Sequence, residues 1–344
     1  MNQVLDAEPD IGLVVLNGDL ITGENTFLEN STHYIDQIVA PMVHRDLTWA
    51  STYGNHDSHY NISRQDMLAR EKLWSNSRTQ SMVSNPNAGT TNYYLPVYTN
   101  PHCDEDTCTP TLLLWFFDSR GGQLFQQKDP NTGKWIAQPD WVDASVAAWF
   151  EQTNSRLVSK ANGQVIPSLA FVHIPISASL TLQNDGVDPH RQPGINADKP
   201  ISRQGQGWCP DGRNDGSCSY GGQDVPFMQA IAGTPGLMAL FSGHDHGNTW
   251  CYKWDGSIDG SAAGGIVKGK GVDLCFGQHS GHGGYGNWIR GGRQVVVSLG
   301  GLENEEDYVV DTYIRLENGG LVGAVSLNGT YGEDEYPVTP DNRT

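Results

Sequence analysis

The sequence has few basic residues, no long apolar run and no Cys-x-x-Cys motif. Its 344 residues include 21 Lys and Arg against 39 Asp and Glu, which gives a formal net charge of −18. Such an acidic chain disfavours non-specific binding to nucleic acids or anionic membranes, because both attract proteins through basic surfaces. The longest apolar run, Leu112–Phe117, is far too short to span a bilayer. We therefore expect no nucleic-acid partner and no membrane partner, and the sequence leaves the oligomeric state open.

None of the six cysteines belongs to a Cys-x-x-Cys motif, which argues against a structural zinc ribbon. Each cysteine has a neighbour within a loop-rich stretch, and this proximity suggests three disulfides, although many other pairings exist. The suggested pairs are Cys103–Cys108, Cys209–Cys218 and Cys251–Cys275.

Asn-x-Ser/Thr glycosylation sequons and the even number of cysteines favour a secreted glycoprotein, or one of the secretory pathway. The alternative is a cytoplasmic protein with free thiols and chance sequons. Residues 1–6 have neither the basic start nor the apolar core of a signal peptide. A secretory type of sequence without a secretory start predicts that the chain lacks its natural beginning. The sequons begin at Asn30, Asn61, Asn328 and Asn342.

Apolar and polar patterns predict alternating strands and helices, and hence an α/β fold. No repeat or linker divides the chain, so we expect one domain over residues 1–327 and an acidic tail, residues 328–344, that frays. The clearest helix is predicted to begin at Pro139, since proline suits a first helical turn. Residues 183–224 lack periodicity and predict either a substrate-covering loop or a plain surface excursion. Strands are predicted at residues 11–16, 47–52, 93–97, 112–117, 168–172 and 239–242, with a closing antiparallel meander at 293–299, 308–316 and 321–327.

Four of these strands end in residues that can bind metals. In open α/β sheets, binding sites lie at the carboxyl ends of strands. Asp, Asn and imidazole side chains suit iron, zinc or manganese. One histidine at a strand end is more often a packed residue than a ligand, but four such ends together predict a metal site. In chain order they are Gly18-Asp19, Gly54-Asn55-His56-Asp57, His173 and Gly243-His244-Asp245-His246.

The order of these motifs resembles that of the calcineurin-like metallophosphoesterases, in the branch of the Dcr2-type phosphatases and the purple acid phosphatases of the twenty-nine type. The resemblance extends from Met1 to about Leu327. It implies a sandwich of two mixed β-sheets flanked by helices, with a dinuclear metal site at strand ends. The segments that carry it are residues 18–24, 115–119, 171–175 and 243–248, with the glycine-rich run 275–293.

The resemblance implies two divalent or trivalent ions of iron, zinc or manganese, held roughly 3.5–4 Å apart. Asp19 is the candidate for the carboxylate that bridges them. Asn55, His173 and His244 would bind the second ion, and His246 the first. Such a pair activates water for attack on a phosphomonoester, here a small phosphate ester or a phosphoprotein. Bound cations would also reverse the repulsion between this acidic chain and an anionic substrate.

The resemblance assigns His56 to catalysis rather than to metal binding, as the group that stabilises the transition state and protonates the leaving oxygen. Asp57 would orient its ring and raise its pKa. Alternatively, Asp57 only caps the following turn at Ser58. In the glycine-rich run, His282 and Arg290 are candidate substrate contacts, since arginine suits a phosphate. The alternative there is a permissive connector between strands.

Two departures from the family pattern stand out. Thr22 occupies the position of the tyrosine that gives purple acid phosphatases their colour, so we expect no purple absorption band. The family also opens with an Asp-x-His strand, but no histidine precedes His33. The first ion would then keep only Asp19 and His246. Two alternatives therefore stay open: a truncated, catalytically impaired relative that keeps only the fold, and a phosphodiesterase acting on lipid or nucleotide substrates.

Overall fold

The computed structural model describes residues 1–22, 26–57, 61–104, 106–259, 265–302 and 304–344. The helices are α1 Asn2–Ala7, α2 Ser31–Val43, α3 Arg64–Glu71, α4 Ala144–Lys160, α5 Ser177–Asp185 and α6 Val225–Gly233. The strands are β1 Val14–Asn17, β2 Trp49–Thr52, β3 Tyr93–Val97, β4 Leu112–Phe117, β5 Gln123–Lys128, β6 Trp135–Ala137, β7 Ser168–Val172, β8 Leu237–Ser242, β9 Cys251–Trp254, β10 Ser257–Asp259, β11 Ile266–Lys268, β12 Val272–Phe276, β13 Gly291–Val297, β14 Val310–Leu316 and β15 Leu321–Leu327.

The largest sheet has six strands in the order β3-β4-β7-β8-β12-β9. Its four inner strands run parallel, and β3 and β9 close the two edges antiparallel. Every residue of β7 and of β12 is buried. Parallel strands need cover on both faces, which explains their continuous apolar runs. The sheet is therefore mixed and forms the centre of the molecule.

A second layer of strands packs on one face of this sheet. It consists of the parallel pair β1–β2 and the antiparallel meander β13-β14-β15. A row of stacked rings lies on that face: Phe116 and Phe171 are 5.1 Å apart between centroids, and Phe171 and Phe241 are 5.5 Å apart. Buried side chains of α4, α5 and α6 cover the opposite face. The predicted sandwich of sheets flanked by helices is confirmed.

The two layers bring the predicted strand ends to one edge. Asn17 at the end of β1 pairs in register with Thr52 at the end of β2. In the large sheet, Val172 at the end of β7 pairs with Ser242 at the end of β8. Nδ1 of His173, the residue after β7, lies 2.8 Å from the carbonyl oxygen of Asn17. This contact joins the carboxyl ends of the two layers.

Two expectations about local structure are wrong. Helix α4 begins at Ala144, because the Asp143 side chain accepts a hydrogen bond from the Ser145 N–H and caps it. Pro139 lies in the preceding loop, where its carbonyl accepts from the Gly121 N–H. The tail after β15 does not fray: Tyr331 is 2% exposed, and its hydroxyl donates to the carbonyl of a buried cysteine in β9. Packing against the body fixes it.

The disulfides are those suggested by proximity. Cys103 bonds Cys108, Cys209 bonds Cys218, and Cys251 bonds Cys275. Across the described ranges, no helix is both long enough and apolar enough to cross a membrane.

The long segment after α5 contacts the turn that carries His244 and His246. The N–H of Ser202 donates to Oδ1 of Asp245 at 2.9 Å, and the N–H of Gly247 donates to Oδ2 of Asp198 at 2.7 Å. The segment therefore supports the edge of the sheet where the strand ends meet. That it covers a substrate stays a prediction.

Candidate metal centre

Asp19 follows β1 in a turn with unusual backbone conformation. Gly18 and Asp19 both have positive φ angles, 88° and 51°. A β-carbon on Gly18 would lie 2.2 Å from Nδ1 of His173, so the close approach of the two strand ends requires glycine. The left-handed conformation of Asp19 is uncommon for a residue other than glycine and is typical of functional sites. The turn directs the carboxylate of Asp19 toward His173 and the loop after β2.

His173 faces Asp19 through its second ring nitrogen. A carbonyl oxygen only accepts, so Nδ1 of His173 must carry the proton that it donates to Asn17. The other nitrogen, Nε2, lies 3.0 Å from Oδ2 of Asp19. In the neutral ring these two atoms both present lone pairs, so the contact needs a proton or a cation between them. Burial lowers the pKa of His173, but the negative charge of Asp19, together with the hydrogen bonds to Asp19 and to the carbonyl of Asn17, raises the pKa overall.

His244 completes a group that could hold a metal ion. One ligand atom from each of Asp19, His173 and His244 lies within 4.8 Å of the others. His244 also has a positive φ, 67°, in the turn after β8. Burial lowers its pKa to about 3, so the ring is neutral and can act as a ligand. Its Nδ1 is buried without a hydrogen-bond partner in the described ranges.

Asn55 presents a second unpaired atom in the loop after β2. Its Oδ1 is buried and has no hydrogen-bond partner in the part of the chain that the structure describes. Buried polar groups almost always have a hydrogen-bond partner. The unpaired Nδ1 of His244 and Oδ1 of Asn55 are therefore suited to act as ligands of a cation. The group is accessible, since Asp19, Asn55 and His244 are each only partly buried.

His56 lies next to this group and is fixed by its backbone. Its N–H donates to Oδ1 of Asp19 at 2.8 Å. Asp57 is fully buried, and its oxygens accept from the N–H groups of Ile21 and Gly54 at 3.0 and 2.7 Å. Burial, and then the charge of Asp19, raises the pKa of Asp57 to about 7. These contacts link the two loops; the effect of Asp57 on the His56 ring stays a prediction, and the alternative contact with Ser58 lies outside the described residues.

His246 does not join the group of Asp19, His173 and His244. Its ring is stacked between His279 at 3.8 Å and Tyr285 at 4.0 Å, measured between centroids. Nδ1 of His246 lies 2.9 Å from the carbonyl oxygen of Tyr285, so Nε2 is the nitrogen available to a metal. The Tyr285 hydroxyl accepts from the His246 N–H and donates to Oδ2 of Asp198 at 2.6 Å. Binding of an ion by His246 stays a prediction.

The two substrate candidates of the glycine-rich run are both engaged within the protein. Nε2 of His282 lies 2.9 Å from Oε2 of Glu317. Arg290 donates to three carbonyl oxygens of its own segment, those of Gly281, Trp288 and Gly286. Its guanidinium thereby orders the run that contains Tyr285. Substrate contact by His282 or Arg290 stays a prediction.

Sequence reasoning missed Arg64, the first residue of α3. Arg64 is 3% exposed. It forms an ion pair with Asp118 at 3.1 Å and donates to the carbonyl of Gly54 at 2.6 Å. No local signal identifies it, because both partners come from other parts of the chain.

Comparison with known proteins agrees with the fold and the motifs. No family model matches the chain. It is 27% identical over 314 residues to the probable inactive purple acid phosphatase 29 of Arabidopsis thaliana, covering 87% of this chain and 67% of that protein. Against the probable inactive purple acid phosphatase 28 of the same plant, identity is 25% over 333 residues, 92% of this chain and 71% of that protein. Against phosphatase DCR2 of Saccharomyces cerevisiae, it is 25% over 258 residues, 74% of this chain and 39% of that protein.

These relatives are purple acid phosphatase-like proteins and the phosphatase Dcr2, which is consistent with the calcineurin-like metallophosphoesterase branch. The resemblance recognised from the sequence motifs is therefore confirmed. The metallophosphoesterase-type sandwich also accounts for the position of the candidate metal centre, where the ends of β1, β2, β7 and β8 meet. The two plant relatives are named as probable inactive phosphatases, whereas the yeast relative is named as a phosphatase.

Proposed function

We propose that this protein is a metal-dependent phosphatase that hydrolyses phosphomonoesters. The observation that carries the proposal is the group of Asp19, His173 and His244, with the orphaned Oδ1 of Asn55 beside it. This set of one carboxylate, one amide oxygen and two imidazoles suits zinc, iron or manganese. A bound ion supplies positive charge to the phosphoryl oxygens and lowers the pKa of water.

The residues of the site divide the remaining work. Asp19 accepts the His56 N–H and faces Nε2 of His173, so its two oxygens are held in separate directions. His56 is free of a ligand role and supplies the proton for the leaving oxygen. Its side chain is partly exposed, as this role requires. A cation at Asp19 would locally offset the repulsion between this chain, with its net charge of −18, and an anionic substrate.

A second ion, bridged to the first by Asp19 and held by His246, is the dinuclear form of the proposal. It is supported by the resemblance and by the orientation of His246, whose Nδ1 is taken by a carbonyl. We propose phosphorylated small molecules or phosphoproteins as substrates and the secretory pathway as location. The three disulfides and the purple acid phosphatase-like relatives support that location.

The test combines metal content with turnover. Protein purified without chelators is analysed by elemental mass spectrometry and assayed with 4-nitrophenyl phosphate and bis(4-nitrophenyl) phosphate. We expect bound metal and faster hydrolysis of the monoester. Asp19→Asn should abolish both, and Asp10→Asn, which changes an exposed acid away from the site, should change neither. Faster hydrolysis of the diester would replace the proposal by a phosphodiesterase.

A catalytically silent metal-binding relative is the second candidate. The names of the plant relatives favour it, as does the presence of a single three-residue ligand group within the described ranges. Metal bound at about one ion per chain without turnover of either ester would establish this candidate. About two ions per chain with turnover would exclude it.

A further inference from the structure

A buried arginine lies behind the loop that carries Asn55. Arg64 begins α3, and its side chain is 3% exposed, while Asp118 at the end of β4 is fully buried. Their ion pair is 3.1 Å long. Burying two charges is costly, so such a pair is retained only where geometry and further hydrogen bonds compensate. The further hydrogen bonds of Arg64 indicate what it does.

Both backbone acceptors of Arg64 adjoin Asn55. Nη2 of Arg64 donates to the carbonyl oxygen of Gly54 at 2.6 Å and to that of Gly121 at 3.2 Å. Gly54 precedes Asn55 directly in the chain. Gly121 packs beside it: a β-carbon on Gly121 would lie 2.9 Å from the β-carbon of Asn55. One guanidinium therefore binds both the carbonyl of Gly54, which precedes Asn55, and the carbonyl of Gly121, which packs beside Asn55.

Asp118 anchors this arginine to the rest of the fold. Its Oδ1 accepts the N–H of Arg120 at 2.8 Å, and its Oδ2 accepts the N–H of Thr90 at 2.6 Å. The carboxylate thus ties together the segment after β4 and the segment before β3. The Asp118 carboxylate is fully buried and accepts hydrogen bonds from Arg64, Arg120 and Thr90, so it holds the guanidinium of Arg64 in a fixed position.

We propose that Arg64 is a positioning residue for the Asn55 ligand. Through the carbonyls of Gly54 and Gly121 it aims Oδ1 of Asn55 at the metal centre, and so determines metal affinity. This inference rests on the proposed function only in taking Asn55 as a ligand. The residues that orient metal ligands typically change affinity 10- to 100-fold when they are lost.

The test measures Mn²⁺ affinity by isothermal titration calorimetry on the whole chain. Arg64→Lys keeps the charge near Asp118 but loses the planar fork that reaches two carbonyls. Arg293→Lys is the matched control, since Arg293 is partly buried and also donates to two carbonyls, those of Phe276 and Thr249. We expect about a tenfold loss of affinity for Arg64→Lys and less than about a twofold change for Arg293→Lys.

A double-mutant cycle separates positioning from general destabilisation. If Arg64 acts through Asn55, the variant with both Asn55→Ala and Arg64→Lys binds Mn²⁺ no more weakly than Asn55→Ala alone. Additive losses, or equal losses for Arg64→Lys and Arg293→Lys, would overturn the inference and leave the site intact. No loss for Asn55→Ala would instead remove Asn55 from the proposed ligand set, and the inference with it.

A second variant covers the case in which Arg64→Lys fails to fold. Gly121→Ala retains both residues of the Arg64–Asp118 pair but would bring a methyl group to 2.9 Å from the β-carbon of Asn55, and a φ of 89° at Gly121 adds backbone strain. We expect it to weaken Mn²⁺ binding in a folded protein, as shown by an unchanged far-UV circular dichroism spectrum. Unchanged Mn²⁺ affinity in Gly121→Ala would contradict the inference that the packing of Gly121 against Asn55 positions this ligand.

Discussion

Oδ1 of Asp19 accepts a hydrogen bond from the backbone N–H of His56, 2.8 Å away. The two residues are 37 positions apart, at the ends of paired strands. The contact uses the backbone of His56, so the position of this histidine is tied to the carboxylate of Asp19.

Replacing His56 should separate catalysis from metal binding. His56→Ala keeps the backbone N–H that bonds Asp19, so we expect the protein to retain its metal while turnover falls about 10²- to 10⁴-fold. Asp19→Ala should lose the metal itself. Elemental analysis and 4-nitrophenyl phosphate hydrolysis measure the two effects. His33→Ala, an exposed histidine on α2, is the control, and loss of metal in His56→Ala would contradict its non-ligand role.

Gly18 should tolerate no side chain. In Gly18→Ala the new methyl group would lie 2.2 Å from the ring of His173, and a φ of 88° adds backbone strain. Gly133→Ala is a matched control, because Gly133 also has a positive φ, 69°, with nothing within 4 Å of an added β-carbon. We expect Gly133→Ala to lose only about 1–2 kcal/mol of stability, the cost of the left-handed conformation for a residue with a β-carbon. Gly18→Ala should lose more and should also lose metal binding; equal effects of the two in chemical denaturation would argue against the close approach.

The Cys251–Cys275 disulfide should contribute more stability than Cys103–Cys108. It joins two buried residues that pair in register, Cys251 on β9 and Cys275 on β12. Its two cysteines are 24 residues apart in the chain, whereas those of Cys103–Cys108 are 5 apart. Chain entropy alone makes this difference about 1.4 kcal/mol. Removing each bond by paired alanine substitutions and measuring the free energy of unfolding tests it. A larger loss from removal of Cys103–Cys108 would contradict the expectation.

Asp273 should make the protein less stable at higher pH. Burial in β12 raises its pKa to about 7, against a weaker opposing effect of Lys253, while Tyr331 and Tyr336 face it from the tail. The folded protein therefore retains this proton at pH values where the unfolded chain has lost it. Its stabilising contribution is complete below the unfolded pKa of 3.8 and is lost as the pH rises through about 7.

Asp273→Asn removes this dependence. We expect its melting temperature to exceed that of the unchanged protein by a larger margin at about pH 8 than at about pH 5. Asp255→Asn is the control, because Asp255 is exposed and directly follows β9; its melting temperature should differ from that of the unchanged protein by the same margin at the two pH values. A constant margin for Asp273→Asn would mean that its carboxyl group titrates normally.

Much of the candidate centre could be predicted from local sequence. Apolar runs that stop at Gly-Asp, Gly-Asn-His-Asp, His and Gly-His-Asp-His indicate strand ends, and parallel strands bring such ends to one edge. Asp19, His173 and His244 do meet there. The predicted start of α4 was wrong. Pro139 is compatible with a first helical turn, but the capping side chain of Asp143 decides where the helix begins.

Contacts between distant loops could not be predicted. Asp57 accepts a hydrogen bond from the N–H of Ile21, 36 residues away, and His246 is stacked with His279 and Tyr285. Each of these depends on where another segment of the chain lies in space. No periodicity or spacing in the sequence encodes that position.

The sequence by itself indicated the strands that end at the candidate centre, suggested the disulfide pairs and determined the residue types at the strand ends, because each depends on neighbours close in the chain. Tertiary structure alone decided which atoms converge. Nδ1 of His173 bonds the carbonyl of Asn17, 156 residues away, and thereby turns Nε2 toward Asp19. It also left Oδ1 of Asn55 buried and unpaired among the described residues. A ligand set is a geometry of side-chain atoms, and only the packing of two sheet layers sets that geometry.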